Sequence, residues 1–142
     1  MSAAAARFEE LRRLLEERFG DHPVRRFLEF RFVELAEDRC VMALEMKPEF
    51  DNSTGAVHGG ILAMRADTAV ACALAASFEG RLNFVTSNLN IHFLRRASTA
   101  LTATATIVKK GATVCFGTCD IHDEEKRLIA TATCDFILLG ER

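Results

Sequence analysis

From Gly59 to Phe78 the chain runs for twenty residues with only two charged side chains, Arg65 and Asp67, and this stretch opens on the tripeptide His58-Gly59-Gly60. It reads as a helix over about 58–78, roughly 30 Å long at 1.5 Å per residue, which is the diameter of a small domain. A helix with so little polar surface has to be wrapped by the rest of the fold. Its length and apolarity raise the question of a membrane span, but the two charges inside it favour the buried helix of a water-soluble protein. An unpaired carboxylate in such a place either carries a heavy desolvation cost or shifts its pKa to avoid ionisation. Asp67 is therefore either tightly paired or at work.

The flanks supply the wrapping. Phe8, Leu11, Leu15 and Phe19 recur at helical spacing over residues 7–19, with Glu9, Glu10, Arg12, Arg13, Glu16 and Glu17 between them, and Gly20 and Pro23 close that helix. From Phe27 the period becomes two. Leu28, Phe30 and Phe32, then Cys40, Met42, Leu44 and Met46, read as a hairpin. Residues 48–57 form a loop of small and polar residues that leads into the long helix. After it, Val85, Leu89, Ile91 and Phe93 alternate with polar residues, as do Leu101, Ala103, Ala105 and Ile107. Lys109-Lys110-Gly111 turns the chain into a strand from Thr113 to about His122. Asp123-Glu124-Glu125 turns it again into a last strand through Leu128 to Leu138. The expected architecture is α+β, a curled antiparallel sheet around one central helix, in a single domain over 1–142.

Composition narrows the function. A net charge of -2 with dispersed Lys and Arg leaves no electrostatic footprint for nucleic acid. The N-terminus lacks the basic and apolar pattern of a leader, so a cytoplasmic location is expected. Five cysteines, without His and Cys at metal-binding spacing, read as reduced core fillers. Cys115 and Cys119 share a strand face but sit roughly 13 Å apart, beyond disulfide reach. The four histidines are scattered, and no metal site is expected.

His58, Gly59 and Gly60 occupy the first helical turn, where backbone N–H groups lack intrahelical partners and the macrodipole is positive. Glycines let a carbonyl oxygen approach those donors, which makes the turn a prospective oxyanion hole. Asp67 follows His58 by nine residues, two and a half turns or roughly 13 Å, so the two groups point to opposite faces. A two-fold dimer that pairs each helix start with the partner's Asp67 resolves that separation.

With Asn52, His58-Gly59-Gly60 and Asp67 in this spacing, and Thr86 on the following strand, the chain resembles the hotdog-fold acyl-CoA thioesterases of the PaaI type over roughly residues 48–139. The resemblance implies a thioesterase that hydrolyses acyl- or aryl-coenzyme A. In it the Gly59 N–H, helped by the Asn52 region, polarises the thioester carbonyl. Asp67 of the partner chain acts as nucleophile or as general base on water, Thr86 orients the water or the carboxylate, and His58 has an orienting role. Val57 and Gly60 flank the bound substrate. No cofactor is implied, because coenzyme A belongs to the substrate. A homodimer with shared sites is implied, and tetramers are common in the family. Two departures stand out. Phe93-Leu94-Arg95-Arg96-Ala97 replaces a usual Pro after the third strand, and Arg65 stands where small or apolar residues are common. Arg65, Arg95, Arg96, Lys109 and Lys110 are candidates for the coenzyme A phosphates.

Each of these residues also has a plain reading. Asp67 alone would more often be a structural ion pair, Asn52 a loop-shaping residue, Gly59 and Gly60 sites of close packing, and any one Lys or Arg a solvated charge. A non-catalytic acyl-CoA-binding module of the same fold is the alternative function, and a hotdog dehydratase or hydratase is a weaker third. Medium-chain and aromatic acyl groups are equally compatible with the Phe-rich strands.

Overall fold

The computed structural model describes residues 1–141, and Arg142, the last position of the expected domain, lies outside the described residues. Helix α1 (Ala3–Phe19) starts four residues earlier than its apolar spacing indicated, because the Ser2 hydroxyl caps it by accepting from the Ala5 N–H at 3.1 Å. A short helix, α2 (Pro23–Leu28), follows where a strand was expected to begin. His22 caps it through Nδ1, and Pro23 occupies its first turn. Phe27 and Leu28 are thus helical, and strand β1 (Phe30–Ala36) starts after Glu29, whose φ of 44° ends α2.

Strand β2 (Arg39–Leu44) completes the hairpin and stops short of Met46. A 3-10 turn (Pro48–Phe50) and a loop lead into the central helix α3 (Gly59–Ser77). Four strands then follow: β3 (Leu82–Phe93), β4 (Leu101–Lys110), β5 (Val114–His122) and β6 (Leu128–Glu141). All pairings are antiparallel and the sheet order is β1-β2-β4-β5-β6-β3, so β1 and β3 are its two edge strands.

The sheet curls around α3, which contacts every strand. Leu62, Ala66, Ala69, Val70, Ala73 and Leu74 are buried around much of its circumference, as a helix apolar on all sides requires. By length and composition α3 would also cross a membrane, yet here it forms the core. Its small residues let the sheet come close. A Cβ on Gly117 of β5 would meet Val70 Cγ1 at 2.6 Å and the Thr106 carbonyl oxygen at 3.0 Å. All five cysteines are free and buried.

Strand β3 departs from simple alternation where it bears on the site. In β3 Thr86 pairs with Phe136 and Asn88 with Asp135, so Ser87 is an extra residue, a β-bulge. The bulge switches parity. Phe84 before it and Leu89 and Ile91 after it all pack on the core, whereas Val85, which a strict alternation turns inward, is 47% exposed.

Candidate functional site

The first turn of α3 has an unusual distribution of hydrogen bonds. His58 Nδ1 accepts from the Gly60 N–H at 2.9 Å, and the His58 carbonyl accepts from the N–H groups of Ile61 and Leu62. Among the described hydrogen bonds the Gly59 N–H has no acceptor, so the cap leaves one donor open at the positive end of the helix. His58 itself is held by its N–H, which donates to the Phe50 carbonyl at 2.7 Å. The imidazole serves as the cap.

Gly59 lines a cavity of about 280 Å³ together with Asn52, Val57, Phe93, Arg95 and Arg96. The Phe93 ring lies over Gly59, within 3.2 Å of where a Cβ would stand. Asn52 Oδ1 accepts from the N–H and hydroxyl of Thr54 and from the Ala56 N–H, so its carbonyl oxygen is committed to shaping the loop that forms one wall. Val57 is buried in that wall and Gly60 is exposed beside it. Arg96 Nη2 donates to the Thr54 carbonyl, Arg95 Nη1 to that of Leu128 at 3.0 Å, and both side chains are exposed at the rim.

Asp67 lies further along α3 and lines a different cavity, of about 370 Å³, with Thr68, Ala71 and Cys72. These four positions share one helix face. Asp67 is half-buried, and no ion pair reaches it among the described residues. Its one described hydrogen bond comes from the Thr86 hydroxyl, which donates to Oδ1 at 2.8 Å. Burial pushes the Asp67 carboxyl above the ordinary carboxylate range, and the Thr86 hydrogen bond opposes that shift. Thr86 reaches α3 because it precedes the bulge at Ser87, and the bulge lets it share the helix-facing side with Leu89 and Ile91. A carboxylate held this way accepts a proton or attacks a carbon at a pH where an ion-paired one would be quenched.

The basic candidates separate. Arg65 is fully buried on another side of α3 from Asp67, and this corrects its assignment to phosphate. Its Nη2 donates to the carbonyls of Leu28 at 3.0 Å and Glu45 at 2.6 Å, and its guanidinium stacks 4.5 Å from the Phe50 ring centroid. Burial draws its pKa down to about 10, and Nε and Nη1 find no partner among the described residues. Lys110 is likewise committed, to Asp38 at 2.8 Å and Glu37 at 3.2 Å across the hairpin turn. Lys109 is exposed beside it. Both lysines sit at the far end of β4, roughly 30 Å of strand from the end nearest Arg95 and Arg96, so they do not join that cavity within one chain. The second cavity was not expected from the sequence. Its outer wall comes from α1 and α2, and the signal that marks α2, a His N-cap followed by Pro, also reads as a helix stop. Among the described residues no cluster of His, Cys, Asp or Glu is placed to hold a metal ion.

Residues 54–130 match the family model described as Thioesterase superfamily. A protein of Saccharolobus solfataricus that carries an esterase name, SSO2140, is 28% identical over 115 residues, covering 80% of this chain and 81% of its own length. The fold is shared with the E. coli PaaI protein of the phenylacetic acid degradation operon, at a TM-score of 0.85 and 22% identity over 94% of this chain and 96% of that one. It is shared too with smu.793 of Streptococcus mutans, a structure bound to acetyl CoA, at a TM-score of 0.77 and 21% identity over 85% and 97% of the two chains.

Proposed function

The chain belongs to the Thioesterase superfamily, and from that premise we propose that it hydrolyses acyl- or aryl-coenzyme A to the free acid and coenzyme A, without a cofactor, at a site shared by two subunits. The observation that carries this reading is Asp67, a half-buried carboxylate with no ion pair among the described residues and one oriented hydrogen bond from Thr86. A purely structural role would require a partner for that charge.

The thioester carbonyl oxygen lies on the open Gly59 N–H, with the helix dipole behind it. Asp67 takes a proton from water as the water oxygen bonds to the carbonyl carbon, and negative charge builds on the oxygen facing Gly59. Collapse of that intermediate breaks the carbon–sulfur bond. Coenzyme A leaves as a thiolate, which needs little acid assistance. The same carboxylate serves the covalent route, in which Oδ attacks the carbonyl carbon, expels the thiolate and is released by water from the mixed anhydride. Isotopic oxygen from water enters Asp67 during turnover only on the covalent route.

Gly59 and Asp67 line separate cavities of one chain, which favours pairing each helix start with the Asp67 of a partner. Strand β3, twelve residues long and outermost in the sheet, offers the edge for such a dimer. Arg95 and Arg96 at the rim of the Gly59 cavity are then placed to meet the phosphates of coenzyme A, and Arg96→Ala raises KM for coenzyme A esters more than it lowers kcat.

Release of free thiol from a panel of short, medium, long-chain and aryl coenzyme A thioesters tests the reading, with wild type and Asp67→Asn run side by side. Hydrolysis that the variant loses is the expected result. No release from any thioester would replace the enzyme with an acyl-CoA-binding module.

A further inference from the structure

We infer that α2 is the selectivity wall of an acyl site, and that the 370 Å³ cavity between α2 and α3 takes an unbranched medium-chain acyl group. This rests on the thioesterase reading above and names the substrate class of that site. Asp67 lines the cavity together with Ala71, Cys72, Phe19, Leu28 and Phe30, so a carbonyl at Asp67 directs its own tail into a largely apolar space. At roughly 30 Å³ per water- or methylene-sized unit the volume corresponds to about twelve carbons. Acetyl leaves it largely empty, palmitoyl overruns it, and roughly eight to twelve carbons fill it.

The far wall is held more firmly than a six-residue helix holds itself. At its C-terminal end the Leu28 carbonyl accepts from the buried Arg65, the Phe27 carbonyl accepts from Lys47 Nζ at 3.0 Å, and the Phe27 ring packs edge-on against Phe50 with centroids 5.3 Å apart. Towards its start, Arg25 pairs with Glu16 of α1 at 2.8 Å and lies over the Phe30 ring. Arg65 is buried with two nitrogens, Nε and Nη1, unpartnered among the described residues, an arrangement poorly suited to stability alone. It acts here as a positioning residue. By fixing the Leu28 carbonyl it fixes the C-terminal end of α2, which lines the cavity.

The test is the chain-length profile of kcat/KM from acetyl- to palmitoyl-CoA, with phenylacetyl-CoA included, for wild type, Leu28→Trp, Leu28→Ala, Phe19→Ala and Arg65→Met. In wild type each added methylene raises kcat/KM by about fourfold until the cavity is full. Leu28→Trp lowers the dodecanoyl-to-hexanoyl ratio by tenfold or more, and the two alanine variants move the optimum towards longer chains. A purely structural effect depresses all substrates alike and cannot shift the optimum in opposite directions. Arg65→Met flattens the profile through KM rather than kcat, and equal loss at every chain length would remove its positioning role. Should that variant fail to fold, the Leu28 and Phe19 variants still decide the wall. If wild type hydrolyses acyl-CoA with a profile these variants leave unmoved, or prefers phenylacetyl-CoA to octanoyl-CoA, this inference falls and the thioesterase reading stands. If wild type hydrolyses none of them, both fall.

Discussion

Asp67 is kept charged at a cost to the folded chain, and that cost makes its role measurable in two ways. Burial raises its folded pKa, so between the ordinary carboxylate value and the folded one the native state holds more protons than the unfolded state. Stability therefore falls as pH rises through that window and stays reduced above it. Asp67→Asn removes this dependence. We expect the variant to lose about 10³-fold in turnover while gaining about 1 kcal/mol of stability at neutral pH. The gain, read as Tm by calorimetry, shrinks as pH falls towards 4. A gain over wild type no larger at pH 7 than at pH 4 would mean that the charge is satisfied by something other than Thr86. Thr86→Val tests the hydrogen bond itself. Without the donor the ionised form loses its support, so the acid limb of the kcat/KM profile moves to higher pH and activity at neutral pH falls about tenfold. An unmoved limb would assign Thr86 to packing alone. Part of this was legible in the sequence, because Asp67 interrupts an apolar run and the His58-Gly59-Gly60 turn offers N–H donors without helical partners, whereas the separate parts of Gly59 and Thr86 came only with the family resemblance. Arg65 was not legible. The direction of a long side chain on a helix depends on which carbonyls the surrounding elements bring to it, and the ends of α2 and β2 are distant in sequence from Arg65.

The central helix owes its place to small residues on both sides of its contacts, and Gly117 is where β5 comes closest. Gly117→Ala forces a methyl group against Val70 and the Thr106 carbonyl oxygen, neither of which retreats without moving α3 or β4. We expect a loss of about 1–3 kcal/mol, seen as a lower midpoint in urea at unchanged slope. A neutral result would show that the sheet relaxes outward there. At this scale the sequence read well where a period ran long, as in α3 and through Leu101–Ile107 of β4, and poorly where one residue changed it. Ser87 is that residue in β3. An alternation that ignores the bulge turns Val85 inward, whereas the observed one buries Phe84 and places Thr86 on the helix side. The same strand then serves the core and the site. The start of β1 misread for a related reason, since Phe27, Leu28 and Phe30 fit either a strand or a short capped helix, and the tertiary anchors at Leu28 and Phe27 decide for the helix.

For the whole molecule the question is whether one chain is half a site. The open Gly59 N–H and the Asp67 carboxylate line separate cavities, and β3 ends the sheet with a long outer edge. A dimer joined through that edge would couple each helix start with the other chain's carboxylate. This arrangement makes a quantitative claim. Asp67→Asn keeps an intact helix start, and Gly59→Val covers the donor with a branched side chain but keeps Asp67, so each variant alone is inactive. Co-expressed in equal amounts and mixed at random, half of the dimers combine the two. Each mixed dimer then holds one site with both wild-type halves and one with neither. Such a preparation recovers about a quarter of wild-type activity, and purified mixed dimers recover about half. Two differently tagged variants isolated through both tags in sequence provide the measurement, with each singly tagged variant as the baseline. Recovery at that level would place the two groups on different chains. Mixed dimers as inactive as their parents would place them on the same chain, and the separation of the two cavities would then have to be bridged by a movement within α3.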